Sequence, residues 1–509
     1  MEGKRAQAIA LAIPRSAFAA QELIWPALLA VATIAAIAPF WVSELLPYQD
    51  APQHVAAVRV IADFHTPGFV FDRWFELHLG RLEYLGFYLP AAAIAKLTGP
   101  VNAIRLMLSL IAIATSAAFW MFLGAFGRDR RVAVLAPAVF HSVPLYLGFF
   151  NFVESIPVGL VVIALVEREL RGPSLRRAIL VASAAAGLLW LHPSALAFAL
   201  AACCVLVITS GAPRRAIARA LAPCVPAIVL LGAWAAQALA ARDGPGAVGR
   251  TPPHWMGSKT QLLELARFGN VLAGHWDEAF VAALFALFAA VVAVRQRPPV
   301  ARGWRLPLLA ALTFAAYMVA PFDMGYMGYI HTRAMPFLVL LVIASPTIAP
   351  GRKTGALLAV AVGLQIAYQA HLAASYRAFD REAQVHELHQ VLNAAAPGKR
   401  LIALLDQTQS RVVQFQAYLH FAAYYEVFRG GRARYNFAET PWTPIRFRKG
   451  TEPVPLPRSW ENKPLELDVP LAVSDEDYAL RGDPGAPPEG FGLVARAGRW
   501  SLYAPDARR

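Results

Sequence analysis

The residues best placed to do chemistry come early in the chain. In Pro47-Tyr48-Gln49-Asp50-Ala51-Pro52-Gln53-His54 a carboxylate and an imidazole stand one helical turn apart, a spacing that puts both on one face of a helix. Such a pair can share a proton, accept one from an alcohol, or ligate a cation. The same residues also fit a helix start, because Asp50, Pro52 and Gln53 together make a capping-box pattern. Asn151 and Glu154 repeat that spacing at the mouth of a later apolar run. They too can be read as a cap, although an acid so close to a lipid-length helix is unusual. His192-Pro193 closes another apolar run. A histidine before a helix-breaking proline suits an interfacial residue at least as well as a ligand.

These residues are carried by an apolar chain. Of 509 residues, 57% are hydrophobic and 16% charged, against roughly one quarter charged in ordinary soluble domains. That argues against a purely cytosolic protein. The net charge of +14 comes from Arg and Lys lying between apolar runs, not from a polar face with interleaved aromatics, so a nucleic-acid partner is not expected. Cys203, Cys204 and Cys224 fall inside apolar segments, which supports neither a disulfide framework nor a cysteine metal site.

Taking about 20 apolar residues as the unit that crosses a bilayer, the sequence predicts eleven spans, near 23–45, 101–126, 132–150, 153–170, 177–193, 194–212, 216–240, 277–294, 306–321, 333–349 and 355–373. With Lys4 and Arg5 on the cytoplasmic side, Arg128, Arg130 and Arg131, then Arg168 to Arg177, Arg214 to Arg219, Arg295 to Arg305, and Arg352 with Lys353 all fall in inside loops. The expected architecture is an all-α polytopic membrane protein over residues 1–374. Its long first outer loop, 46–100, should carry two interfacial helices, Ala51 to Phe64 and Tyr84 to Leu97. A small α/β domain, 375–509, should follow on the outer side, built around the hydrophobic stretch Leu401 to Leu405 and the aromatic run Gln414 to Phe428.

One span, an acidic residue opening a long outer loop with two interfacial helices, and a later short outer loop carrying His331 and Arg333 together resemble the GT-C glycosyltransferases. This group includes the protein O-mannosyltransferases and the lipid A aminoarabinose transferases. Gln49-Asp50-Ala51-Pro52-Gln53-His54 and Gly148-Phe149-Phe150-Asn151-Phe152 look like segments of its bacterial members. Asp50 is followed by Ala51 where the mannosyltransferases have a second acid.

The resemblance implies an enzyme of the bacterial inner membrane, with its N-terminus cytoplasmic and its C-terminal domain periplasmic. It would transfer a sugar from a polyprenyl-phosphate donor to a glycan, lipid or protein acceptor. Asp50 becomes the expected general base, assisted by His54, with a divalent metal ion conceivable beside it. Arg333, in Tyr329-Ile330-His331-Thr332-Arg333, becomes the expected grip on the donor phosphate, since a guanidinium binds phosphate bidentately, and His331 would assist it. Glu83, Asn151, Glu154, His192 and Asp323 complete the expected substrate-binding set. The alternatives are a transporter or lipid flippase, or a non-catalytic polysaccharide-assembly protein of the same fold. A transporter would place ionisable groups near the bilayer midplane, whereas here the acids and histidines crowd one face.

Overall fold

The computed structural model describes residues 15–80, 83–240, 251–294, 302–325, 327–440, 443–454, 469–483 and 485–506. Lys4, Arg5, Arg295 and Arg297 of the expected inside loops lie outside the described residues. The chain is mostly helical and is a multi-pass membrane protein. Among the described residues, six helices are long and apolar enough to cross a bilayer: Leu23–Trp41, Pro100–Ala125, Phe150–Arg171, Arg214–Gln237, Trp276–Val294 and Arg352–Asn393. Leu23, Ile34, Val229 and Val319 point outward from the bundle, as a hydrocarbon solvent allows and water does not.

The expected count of eleven spans is not confirmed among the described residues. The segments expected at 177–193, 194–212, 306–321 and 333–349 form the shorter helices Leu175–Leu191, Pro193–Ile208, Arg305–Val319 and Met335–Ala344. The segment expected at 132–150 is not one helix at all. It is a 3-10 turn, Arg130–Leu135, followed by two short helices, Ala136–Phe140 and Val143–Tyr146. Pro137 and Pro144 each remove a backbone donor and break the run. Backbone left unpaired by such breaks is tolerable at membrane depth only when other protein groups satisfy it. They do so here: Gln365 Nε2 donates to the Val134 carbonyl at 2.8 Å and Val143 N–H to the Phe268 carbonyl at 3.0 Å.

Helix ends sort onto two faces. On one, Arg305 pairs with Glu167 at 2.9 Å and Arg128 donates to the Gly303 carbonyl at 2.6 Å, while the Arg131 guanidinium lies over Trp25. The opposite face holds Asp50, His192 and Arg333. The helix Arg352–Ala383 runs 32 residues, about 48 Å at 1.5 Å per residue, which exceeds a hydrocarbon core of about 30 Å. Its far end, where Asp380 accepts from Glu44 and Leu45 N–H, lies on the Asp50 side and leads into the C-terminal region.

That region contains a five-stranded sheet in the order β5-β4-β7-β9-β8, where β4 is Arg400–Leu404, β5 Arg432–Ala433, β7 Tyr478–Arg481, β8 Phe491–Ala497 and β9 Trp500–Pro505. β4 runs parallel to β5 and β7, whereas β9 is antiparallel to both β7 and β8. With the helices Val385–Asn393 and Ala423–Arg429 this is the α/β composition expected of the tail, and Leu401 to Leu404 are its buried strand. Of the aromatic run Gln414 to Phe428, the part from Ala423 onward is α-helix.

The tail is joined to the outer loops throughout. β1 (Phe75–Leu77) of the first loop pairs antiparallel with β6 (Ile445–Phe447), and the Phe75 and Phe447 rings stack at 5.4 Å. Gln414 N–H donates to the Val271 carbonyl at 3.0 Å. Both expected first-loop helices are present, as Ala51–Ala62 and Leu85–Thr98. Leu85–Thr98 keeps an outward apolar edge at Leu89 and Leu97, as an interfacial helix should. Ala51–Ala62 differs from expectation. It is buried nearly all round, because the tail helix Ala423–Arg429 covers the side that amphipathicity had assigned to water.

Candidate active site

Asp50 occupies the N-cap position of Ala51–Ala62, yet its side chain makes no capping bond. The Gln53 amide, the other half of the expected capping box, is drawn instead to the tail: its Oε1 accepts from Phe437 N–H at 3.1 Å and its Nε2 donates to the Tyr435 carbonyl. The Asp50 carboxylate is thus not consumed by its own helix. Its side chain is 17% exposed, and its Oδ1 lies 3.3 Å from His420 Nε2.

Three contacts hold Asp50 in place. Gln49 N–H donates to the Tyr146 carbonyl at 2.9 Å. The hydroxyls of Tyr48 and Tyr146 both meet that of Tyr376, at 2.8 and 2.7 Å, tying the turn to the long helix. Behind Asp50 the backbone of Gly148 comes so near that a Cβ there would fall 2.6 Å from Asp50 Cβ. Gly148 also has φ +91°, so glycine is required twice over, for the approach and for the conformation.

His54 does not share a proton with Asp50 as the sequence suggested. Its Nε2 donates to the Gly148 carbonyl at 2.7 Å, and its Nδ1 accepts from the Tyr88 hydroxyl at 2.8 Å. Both ring nitrogens are therefore engaged. Burial pushes the imidazole down to about 4, with the Asp50 charge opposing. It is neutral near pH 7 and buttresses the Gly148 turn. The Asn151 side chain lies against the same Tyr88 hydroxyl. Asn151 is inside its helix, whose N-cap is Phe149, so the expected cap at Asn151 does not form.

Arg333 lies on the other side of the same turn. Its guanidinium is 4.6 Å from the centre of the Phe149 ring, and it donates to the Gly328 carbonyl at 3.2 Å. Arg333 Nε, Glu154 Oε2 and Asp323 Oδ1 are buried without a hydrogen-bond partner. Orphaned polar atoms of this kind are costly unless a ligand supplies the missing partner. Tyr329, before Arg333, has its hydroxyl raised by burial and by the charges of Glu264 and Asp50, which places this short loop within electrostatic reach of the acid.

The remaining candidates divide. His192 caps the helix that follows it, accepting from Ser194 N–H at 3.2 Å, and its ring meets those of Tyr84 and Phe152 edge-on. It lies within reach of the Arg333 charge. Glu83 is buried beside Tyr84. His331 turns away from Arg333 and binds Glu264 at 2.6 Å, while Asp323 lies in β3 (Asp323–Gly325), paired with β2 (Thr251–His254). His331 thus ties the helix Ser258–Ala266 to the Arg333 loop, and the β2–β3 pairing ties Thr251–His254 to it.

Sequence reasoning missed His420, Gln53, Tyr435 and Phe437, which gather beside Asp50 from the tail and the helix Ala51–Ala62. Gln53 was visible only as a capping partner, and nothing in the local sequence connects residues 420–437 with residue 50. A cation at Asp50 would meet His420 Nε2, but among the described residues no group of three His, Cys, Asp or Glu side chains is arranged to hold a metal.

No protein-family model and no curated protein matches the chain. Solved structures do. The mycobacterial arabinofuranosyltransferase AftD superposes with a TM-score of 0.53 at 16% identity over 94% of this chain, which spans only 40% of AftD. ArnT from Cupriavidus metallidurans, in its apo state, superposes with a TM-score of 0.52 at 13% identity over 96% of this chain and 98% of its own. Both are GT-C membrane proteins, and the fold of this chain is the GT-C fold.

Proposed function

We propose that the chain is a membrane glycosyltransferase that moves a sugar from a polyprenyl-phosphate donor to an acceptor hydroxyl. The observation that carries this reading is the Asp50 carboxylate, uncapped and partly exposed, on the Gly148-Phe149 turn whose Phe149 ring meets the half-buried Arg333 guanidinium. Attack of a hydroxyl on an anomeric carbon needs a base to receive its proton and a cation to hold the departing phosphate. Asp50 takes the proton as the acceptor oxygen bonds to carbon. The bond from that carbon to the phosphate oxygen breaks, and the electron pair leaves on the prenyl phosphate, whose charge Arg333 balances. Glu154 and Asp323, with orphaned oxygens, receive sugar hydroxyls. The acceptor is a glycan, lipid or protein.

The positive-inside rule supports an orientation in which the face with Arg128, Arg131 and Arg305 is cytoplasmic and the Asp50 face periplasmic, in a bacterial inner membrane. The test is transfer from a polyprenyl-phosphate sugar by purified protein in liposomes. Asp50→Asn is expected to lower turnover by roughly two or more factors of ten with donor binding retained. Full activity in the asparagine variant overturns the proposal for the base.

A further inference from the structure

We propose that the C-terminal region contributes a positioning residue to the site: His420, with its tautomer set by Gln53, donates its Nε2 proton to one oxygen of Asp50 and so aims the other at the acceptor. The inference rests on the reading of Asp50 as the base.

The hydrogen-bond directions follow from groups that have no choice. Phe437 N–H can only donate, so the Gln53 atom that meets it at 3.1 Å is the amide oxygen. The Tyr435 carbonyl can only accept, so the atom that meets it is the amide nitrogen. The orientation of the amide is thereby fixed from both ends. The same Nε2 lies 3.4 Å from His420 Nδ1, and having only hydrogens to offer, it makes Nδ1 the acceptor. The neutral imidazole then carries its proton on Nε2, 3.3 Å from Asp50 Oδ1. A proton on Nδ1 would face the amide hydrogens and is disfavoured.

The surroundings keep the ring there. Phe437 meets the imidazole edge-on, and the turn carrying Tyr435 and Phe437 is held through Asn436, whose amide donates to both oxygens of the buried Glu426 at 2.6 and 2.7 Å. A carboxylate that accepts one fixed bond has one oxygen oriented and the other open. That is what a base needs in order to meet a hydroxyl in a single geometry. The arrangement resembles a histidine held by a third group in a hydrolase triad, with the order reversed: the amide orients the imidazole, and the imidazole orients the carboxylate.

The experiment compares His420→Leu, His420→Gln and His420→Asn in steady-state transfer, alone and combined with Asp50→Asn. Removing the donor is expected to lower kcat roughly ten- to a hundredfold with KM little changed. Glutamine, whose amide nitrogen reaches about as far as Nε2, is expected to recover most of the rate, and asparagine, one carbon shorter, is not. In the Asp50→Asn background, replacing His420 should cost little more, because the carboxylate it orients is already gone. Wild-type kcat in His420→Leu, with Asp50→Asn inactive, overturns the inference and leaves the base standing. Should the leucine variant fail to fold, equal rates for the glutamine and asparagine variants overturn it instead. An active Asp50→Asn overturns the reading on which it rests.

Discussion

Asp50 and Arg333 lie against adjacent residues of one dipeptide. Gly148 presses against the Cβ of Asp50, while the next ring along, Phe149, lies 4.6 Å from the Arg333 guanidinium. Two residues that share a wall only one dipeptide thick respond together when that wall moves.

Gly148→Ala is therefore expected to do more harm than its size suggests. The new methyl would fall 2.6 Å from Asp50 Cβ, and the residue would have to keep φ at +91°. A non-glycine residue held there costs about 1 to 3 kcal/mol, and relief comes only by shifting the acid. Thermal unfolding should show a lower midpoint. Transfer should fall by roughly tenfold or more, since small misplacement of a catalytic group is costly. An alanine variant with wild-type rate and midpoint would show that the turn yields without moving Asp50.

Arg333→Lys separates a phosphate grip from a simple anchor. Lysine keeps the charge and the reach to the head groups but loses the planar fork and its bidentate bonding. On the proposed reading, Lys lowers turnover by roughly one factor of ten and Ala by about two, with folding preserved. Equal rates for Arg and Lys would leave Arg333 as a membrane anchor whose ring contact with Phe149 is structural.

Much of this was legible in the sequence, and the reasons are physical. Long apolar runs and basic loops betray spans because lipid cannot solvate charge, and the position of Asp50 after the first of them stands out for the same reason. The broken segment at 132–150 was not legible. Hydropathy reports that residues are buried, not that Gln365 and neighbouring backbone repair the breaks at Pro137 and Pro144. His54 was placed on the correct helix, but its partners, the Gly148 carbonyl and the Tyr88 hydroxyl, come from distant segments. The pairing of Gln53 and Asp50 with the tail is longer-range still, and only folding reveals it.

Glu426 makes stability depend on pH. Burial raises its carboxyl to about 8, against the hydrogen bonds from Ala433 and Asn436 that favour the charged form. In the unfolded chain it ionises at an ordinary carboxylate value. Between that value and about 8 the unfolded state has lost a proton that the folded state keeps. The contribution is thus full in acid and falls as pH rises through this window, by up to about 1.4 kcal/mol for each pH unit. Unfolding midpoints of wild type and Glu426→Gln, measured from about pH 5 to 8, should show a steeper decline in the wild type. Parallel curves would mean the carboxyl is ionised throughout.

Membrane orientation can be read by labelling. In a background lacking Cys203, Cys204 and Cys224, a membrane-impermeant thiol reagent should modify Asn393→Cys in intact spheroplasts and Arg214→Cys only after permeabilisation, both positions being exposed. The opposite pattern would turn the Asp50 face to the cytoplasm.

The ladder between Phe75–Leu77 and Ile445–Phe447 joins an early segment to a late one, and this bears on biogenesis. The ribosome delivers β1 and Asp50 while most of the chain is still unmade. Until residues 423–447 have been synthesised and have reached the same side of the membrane, the β1 edge has no partner and the helix after Asp50 has no cover. A stalled or truncated chain is thus left with an open strand edge, the feature by which proteins aggregate and quality-control proteases select their substrates. The site and the stability of the first loop arrive together, once Ile445–Phe447 has been made.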